Sequence, residues 1–197
     1  IWLHNLHGYY LNIELLFKWL KEHSQIKILW TLHDCWAFTG HCAHFSAAKC
    51  DRWKSGCGDC PQLKAYPKTY GADHTQRNYR QKQACFTGLA NLTIIVPSEW
   101  LARTVKQSFL KEYPVEVVHN QIDKSLFKPT PSDFREQYGL DGKTVILGVA
   151  SVWDKEKGLL DFCRLREKLD SRFAIVLVGV TDKQKSRLLP GILALPR

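Results

Sequence analysis

Short apolar runs rich in β-branched residues alternate along this chain with longer segments of helical period. The runs are Ile26 to Leu32, Leu92 to Val96, Val115 to His119, Thr144 to Ala150 and Phe173 to Gly179, with Trp2-Leu3 a further strand-like start. Between them lie the amphipathic stretches Leu11 to Glu22, Thr75 to Leu89, Glu99 to Lys111, Ser132 to Tyr138, Leu159 to Leu169 and Asp182 to Leu189. Such alternation predicts βαβ units and parallel sheets, and so an α/β fold. Because each run is nearly continuous in apolar residues, the strands are expected to be covered by helices on both faces. Ser98, just ahead of Glu99, is a predicted helix N-cap.

The rhythm breaks between Ile122 and Lys143, where Pro129, Pro131, Gly139 and Gly142 leave room for only a short helix. An interdomain linker is expected there, followed by a second sheet. Residues 1–125 are read as one domain, carrying a cysteine-rich insert over 35–61, and residues 126–197 as the linker and first part of another. The chain has no methionine, opens on the apolar Ile1-Trp2-Leu3 and closes on the largely apolar Gly191 to Arg197. A piece of a longer protein, truncated at both ends and with a further strand to follow, is the expectation.

Composition narrows the classes. With 45% hydrophobic and 24% charged residues, the chain is neither collagenous nor of the disordered type. Its 28 Lys and Arg against 19 Asp and Glu give a net charge of +9, which suits anionic partners: nucleotide phosphates, lipid pyrophosphates, an anionic membrane surface or nucleic acid. No apolar stretch nears the roughly 20 residues that span a bilayer, and no leader pattern is visible. A cytoplasmic protein, with the charge for peripheral contact at the inner face of the membrane, is expected.

Polar residues stand where several runs end. Trp2-Leu3 leads into His4-Asn5-Leu6-His7-Gly8, and Leu29 to Leu32 leads into His33-Asp34. Ligands of open α/β sheets sit beyond the carboxyl ends of strands, so His4 or His7, with His33 and Asp34, would face a cleft. Taken singly, each histidine could equally cap its strand or hydrogen-bond a loop. Val118 to Asp123 offers Asn120 for hydrogen bonding at the domain join. In Ala150 to Gly158, Lys155 or Lys157 precedes a helix whose N-terminal N–H groups favour a diphosphate, although a lysine so placed is often only a solvated surface residue.

These motifs, in this order, resemble family-4 glycosyltransferases of the GT-B fold, and most closely bacterial exopolysaccharide enzymes of the colanic-acid biosynthesis type. Thr31-Leu32-His33-Asp34-Cys35-Trp36-Ala37-Phe38-Thr39-Gly40-His41-Cys42 carries the likeness most specifically, with Pro97 to Ala102, Asn120 to Asp123, Phe127-Lys128-Pro129 and Lys157-Gly158 in support. The resemblance implies two Rossmann-like domains, both incomplete here, and transfer of a sugar from a nucleotide-diphosphate donor to a glycan or lipid-linked acceptor with retention of configuration. No catalytic metal is implied. His4 would lie near the reaction centre, with His7 the competing assignment. Lys157, Asn120 and Gly158 would bind the donor, and His33, Asp34 and Ser98 would edge the cleft.

The family often has glycine where this chain has Gln121, and arginine near Val152 or Glu156. Its glycine-rich loop and glutamate-rich donor motif lie outside this sequence, so the chain alone is expected to be inactive. The alternative reading is a basic, zinc-containing nucleic-acid-binding module. The spread of basic residues along the chain argues against it, so no nucleic acid is expected. A non-catalytic remnant that only binds a partner is a third reading.

Five of the seven cysteines fall between Cys35 and Cys60. Cys42, Cys50, Cys57 and Cys60, the last two in a CxxC knuckle, match the donor set of a structural zinc ion. His41 or His44 could replace one thiolate, and an iron–sulfur cluster uses similar donors. The competing readings are reduced cysteines packed as small hydrophobes, or disulfides. Trp30, Trp36, Phe38, Phe45 and Trp53 are read mostly as packing around this insert, with an acceptor-sugar platform as the other use.

Overall fold

The structure is a computed structural model and describes residues 1–8, 10–154 and 157–196. They group into two compact units, Ile1–Ile122 and Asp123–Arg197, each α/β with a parallel sheet.

In the first unit, β1 (Trp2–Leu3), β2 (Ile28–Thr31), β3 (Leu92–Val96) and β4 (Val115–Val117) lie side by side in chain order, all parallel. Helices α1 (Ile13–Glu22), α2 (Thr75–Phe86) and α3 (Glu99–Val105) fall between them. The Asn12 carboxamide oxygen accepts from the Leu15 N–H and starts α1, whereas Asp73 accepts from the Thr75 N–H at the start of α2. The core is aromatic. Phe17 of α1, Trp30 of β2 and Phe86 of α2 are fully buried, with ring centroids 4.6 to 5.4 Å apart.

The second unit holds β5 (Thr144–Val149), β6 (Phe173–Val178) and β7 (Ile192–Leu195) as a parallel sheet, with α4 (Phe134–Gln137), α5 (Leu159–Lys168) and α6 (Asp182–Lys185). A Thr181–Gln184 capping box opens α6. Central β6 is covered on both faces: Ile175 and Leu177 pack with Trp153 and Phe162, and Ala174 and Val176 with Leu140 and Phe134.

Burial on both faces, expected of every strand, is not general. Leu147 and Val149 of β5 are 60% and 67% exposed, and β3 alternates buried with half-buried residues. Glu99 to Lys111 is not one helix, because α3 stops at Val105. There the buried Ser108 hydroxyl donates to the Val105 carbonyl and accepts from the Leu110 N–H, so a side chain completes the turn where helix would have continued. The apolar run near the end of the sequence, expected only to precede a strand, is itself β7.

Tyr113 ties α2 to the approach of β3. Its buried hydroxyl donates to the Phe86 carbonyl at 2.8 Å and accepts from the Leu89 N–H at 3.1 Å. Tyr113→Phe strands both groups and is expected to cost about 1–3 kcal/mol at neutral pH, read by urea unfolding. Burial pushes the Tyr113 phenol above its ordinary value. The unfolded chain therefore ionises first, and this tyrosine's contribution, complete below about pH 10, is lost as pH rises through the folded value. The gap between wild type and variant should narrow there; a gap that stays constant would refute the assignment.

Candidate functional site

Four parallel strands bring their carboxyl ends to one edge, and the polar residues that follow them meet there. His4 follows β1, His33 and Asp34 follow β2, Ser98 follows β3, and His119 and Asn120 follow β4. Although 29 residues separate them, His4 Nδ1 lies 3.3 Å from His33 Nε2, and the rings stack at 5.6 Å between centroids. One ring must donate and the other accept, so the tautomers of these exposed histidines are linked.

His7 has a different setting. Its Nε2 is 3.0 Å from Asp34 Oδ2, with the two side chains only 16% and 17% exposed, and its ring packs against Trp36. The other Asp34 oxygen accepts from the Trp36 N–H at 2.8 Å. His4 and His7, the competing assignments, thus stand at the same edge: one exposed beside another imidazole, the other half-buried and paired with a carboxylate.

Ser98 caps α3, its Oγ accepting from the Leu101 N–H. That contact gives it a structural task at the carboxyl edge of the sheet. Asn120 is exposed beyond β4, while neighbouring His119 contacts the Pro97 carbonyl through Nδ1. Gln121 is not among the residues of positive φ, which apart from glycines are Lys49 and Asp59 among the described residues. The loop therefore imposes no left-handed turn that only glycine would satisfy.

In the second unit, the turn from β5 to α5 places Lys157 with its side chain exposed and its N–H donated to Asp154 Oδ1 at 2.8 Å. Gly158 is the N-cap of α5 at φ 74°, a conformation that favours glycine. Lys155, the other candidate for a diphosphate, and Glu156 lie outside the described residues.

Lys82 was not foreseen. Its Nζ donates to the carbonyls of Trp36 and Thr39 at 2.7 and 3.0 Å and sits 3.6 Å from the Trp36 ring centroid. Burial lowers its pKa to about 7, against the opposing charges of Cys57, Cys42 and Asp34. The signal was present in α2: Lys82 stands three residues after buried Tyr79 and four before buried Phe86, on the inward face of a polar helix. With Trp36, His41, Asn78 and Gln81 it lines a cavity of about 250 Å³.

The cysteine-rich segment has two 3-10 turns, Trp36–Phe38 and Arg52–Lys54. Phe38, Phe45 and Trp53 stack within it. Cys42, Cys50, Cys57 and Cys60 all line one small cavity of about 20 Å³. Burial and the neighbouring thiols raise the pKa of Cys42 to about 11 and push Cys57 and Cys60 upward as well. His41 also lines this cavity, but both its ring nitrogens are engaged, Nε2 by the Gln62 carbonyl and Nδ1 by the Thr69 hydroxyl, and burial lowers its pKa. His44 is exposed and does not line the cavity. Among the described residues, no group of three or more His, Cys, Asp or Glu side chains is already convergent enough to hold a metal ion. All seven cysteines are free thiols, so the structure forms no disulfide.

By class, this is an α/β chain whose first parallel sheet gathers imidazoles and a carboxylate at its carboxyl edge. A 68-residue stretch is 41% identical to a protein of Escherichia coli (strain K12) described as a colanic acid biosynthesis glycosyl transferase, WcaC. The match covers 32% of this chain and 16% of that relative. No protein-family model matches the chain. Among the described residues, no helix is long and apolar enough to cross a membrane.

The two histidines should separate by stability. Asp34→Ala deprives the His7 ring and the Trp36 N–H of their partner and is expected to cost about 1–3 kcal/mol. His4→Ala, at an exposed pair, should stay within about 0.5 kcal/mol of wild type. Urea unfolding of both variants measures this, and a large loss in His4→Ala would show that ring to be structural.

Proposed function

We propose that this chain is part of a GT-B glycosyltransferase of family 4, moving a sugar with retention from a nucleotide-diphosphate donor to a glycan or lipid-linked acceptor in polysaccharide biosynthesis. The similarity to a glycosyl transferase of colanic acid biosynthesis carries this reading, and the histidine-lined strand edge supports it. In the reaction, the bond from the anomeric carbon to the diphosphate oxygen breaks, an acceptor hydroxyl bonds to that carbon, and its proton is released. Negative charge builds on the departing diphosphate. Lys157, with the free N–H groups of α5 behind Gly158, stabilises that charge.

His4 is the histidine assigned to the sugar, because its ring is exposed at the strand end whereas His7 is occupied by Asp34 and Trp36. His33 orients it through the shared contact. Asn120 contributes a hydrogen bond to the donor, and Asp34 and Ser98 shape the edge. The net charge of +9 suits the diphosphate and also peripheral contact with an anionic membrane.

Thermal unfolding of this chain with UDP- and GDP-sugars tests the reading. At least one donor should raise the melting temperature. Lys157→Ala should weaken that donor by about tenfold or more, near 1.4 kcal/mol. Absence of protection by every donor, or equal protection of Lys157→Ala, would contradict it.

A further inference from the structure

We propose that Cys42, Cys50, Cys57 and Cys60 hold one structural zinc ion as a tetrathiolate, with the Gly40 and Gln62 backbone N–H groups and the Trp53 indole N–H donating to its sulfurs. The site does not depend on the nucleotide-sugar reading, since it uses none of the same residues.

The four thiols, from three separate stretches between Cys42 and Cys60, line a single cavity of about 20 Å³, the size for one small ion or water. Two backbone donors already point at sulfur: the Gly40 N–H is 3.1 Å from Cys57 Sγ, and the Gln62 N–H is 3.4 Å from Cys60 Sγ. A neutral thiol is a weak acceptor, while a metal-bound thiolate is a strong one. Gly40 is held against this cluster so closely that an added Cβ would come within 2.7 Å of the Cys57 Cβ and 2.2 Å of the Thr75 carbonyl oxygen.

The strongest indication is what lacks a partner. Among the described residues, the buried side-chain atoms without a hydrogen bond are Trp53 Nε1, Gln62 Oε1 and Thr75 Oγ1. All three residues line this same cavity. Thr75 also has the Asp73 carboxylate within reach, but buried polar groups are ordinarily paired, so the Trp53 and Gln62 orphans around one void mark missing chemistry. A thiolate would accept from the indole, and a rotated Gln62 amide would present its NH2. The two left-handed non-glycine residues are also here, Lys49 beside Cys50 and Asp59 between Cys57 and Cys60, where turning a backbone to present sulfur would hold such conformations in place.

Charge is consistent with this. Zinc bound by four thiolates carries a net double negative charge after the thiol protons leave to solvent. The charge of Lys82 is felt by Cys57, and Arg52 lines the cavity and donates to the carbonyls of Gly58 and Asp59 within the knuckle. The thiols are not closed on one point without metal. Because all four cysteines line the same cavity, the ion would draw their sulfurs together, as expected where binding completes folding.

The test is metal analysis of the chain purified under reducing conditions without chelator. One zinc per chain is expected, with cobalt substitution of the same protein giving the intense visible absorption of a tetrahedral thiolate site. Cys57→Ser and Cys60→Ser should each lose the zinc, whereas Cys163→Ser, outside the cavity, should keep it. Trp53→Phe should retain one zinc but bind it about tenfold more weakly in chelator competition. If the serine variants do not fold, the cobalt spectrum of wild type still decides. Protein free of zinc, protein carrying iron instead, disulfides among these cysteines, or a cobalt spectrum without thiolate character would each overturn the proposal.

Discussion

Parallel strand direction is the constraint on which the first unit depends. When neighbouring strands all run the same way, whatever follows each of them in sequence arrives at one edge of the sheet. The pairing of Leu3 with Trp30 and Trp30 with Ile94 fixes this register. Beneath it, Phe17 and Phe86 close on Trp30 and leave no room for a slip. A shift of one residue would turn Trp30 out of the core, so the histidines at the edge are positioned by an aromatic contact they do not touch.

Much of this was legible beforehand because apolar periodicity is set by burial, and burial follows the sheet. The cores of β2 to β6 fall inside the expected runs, and the histidine-bearing strand ends stand where those runs stop. Lengths were less legible. Nothing in the apolar pattern of Glu99 to Lys111 shows that the Ser108 hydroxyl will take the Val105 carbonyl and end α3 early. Exposure of β5 was equally hidden, since Leu147 and Val149 look like any other buried strand residues. Partnerships were least legible of all. Pairing of His7 with Asp34 rather than His4 with Asp34 is decided by loop geometry, which periodicity does not encode.

Trp36 joins two parts of the first unit. Its N–H is held by Asp34, one side of its ring meets His7, and Lys82 lies over the ring while donating to its carbonyl. Lys82 also donates to Thr39, one residue before the glycine whose N–H reaches Cys57. An ammonium so enclosed has given up water, and only carbonyls, an aromatic face and nearby negative charge can offset that. The strand edge and the cysteine segment are therefore fixed by the same few residues.

The segment from Cys35 to Pro61 poses the sharper physical question, which is why it is ordered at all. Each residue fixed there costs roughly 1–2 kcal/mol of backbone entropy, and two short 3-10 turns return few hydrogen bonds. Phe38, Phe45 and Trp53 bury apolar surface, yet that stack sits beside a void ringed by thiols and unpaired polar atoms. A purely apolar solution would have filled the void with carbon and placed no donors around it. The proposed zinc crosslink would close the loops between the cysteines and give the Trp53 indole an acceptor, and so would fix a segment poor in regular structure beside Trp36 and Lys82.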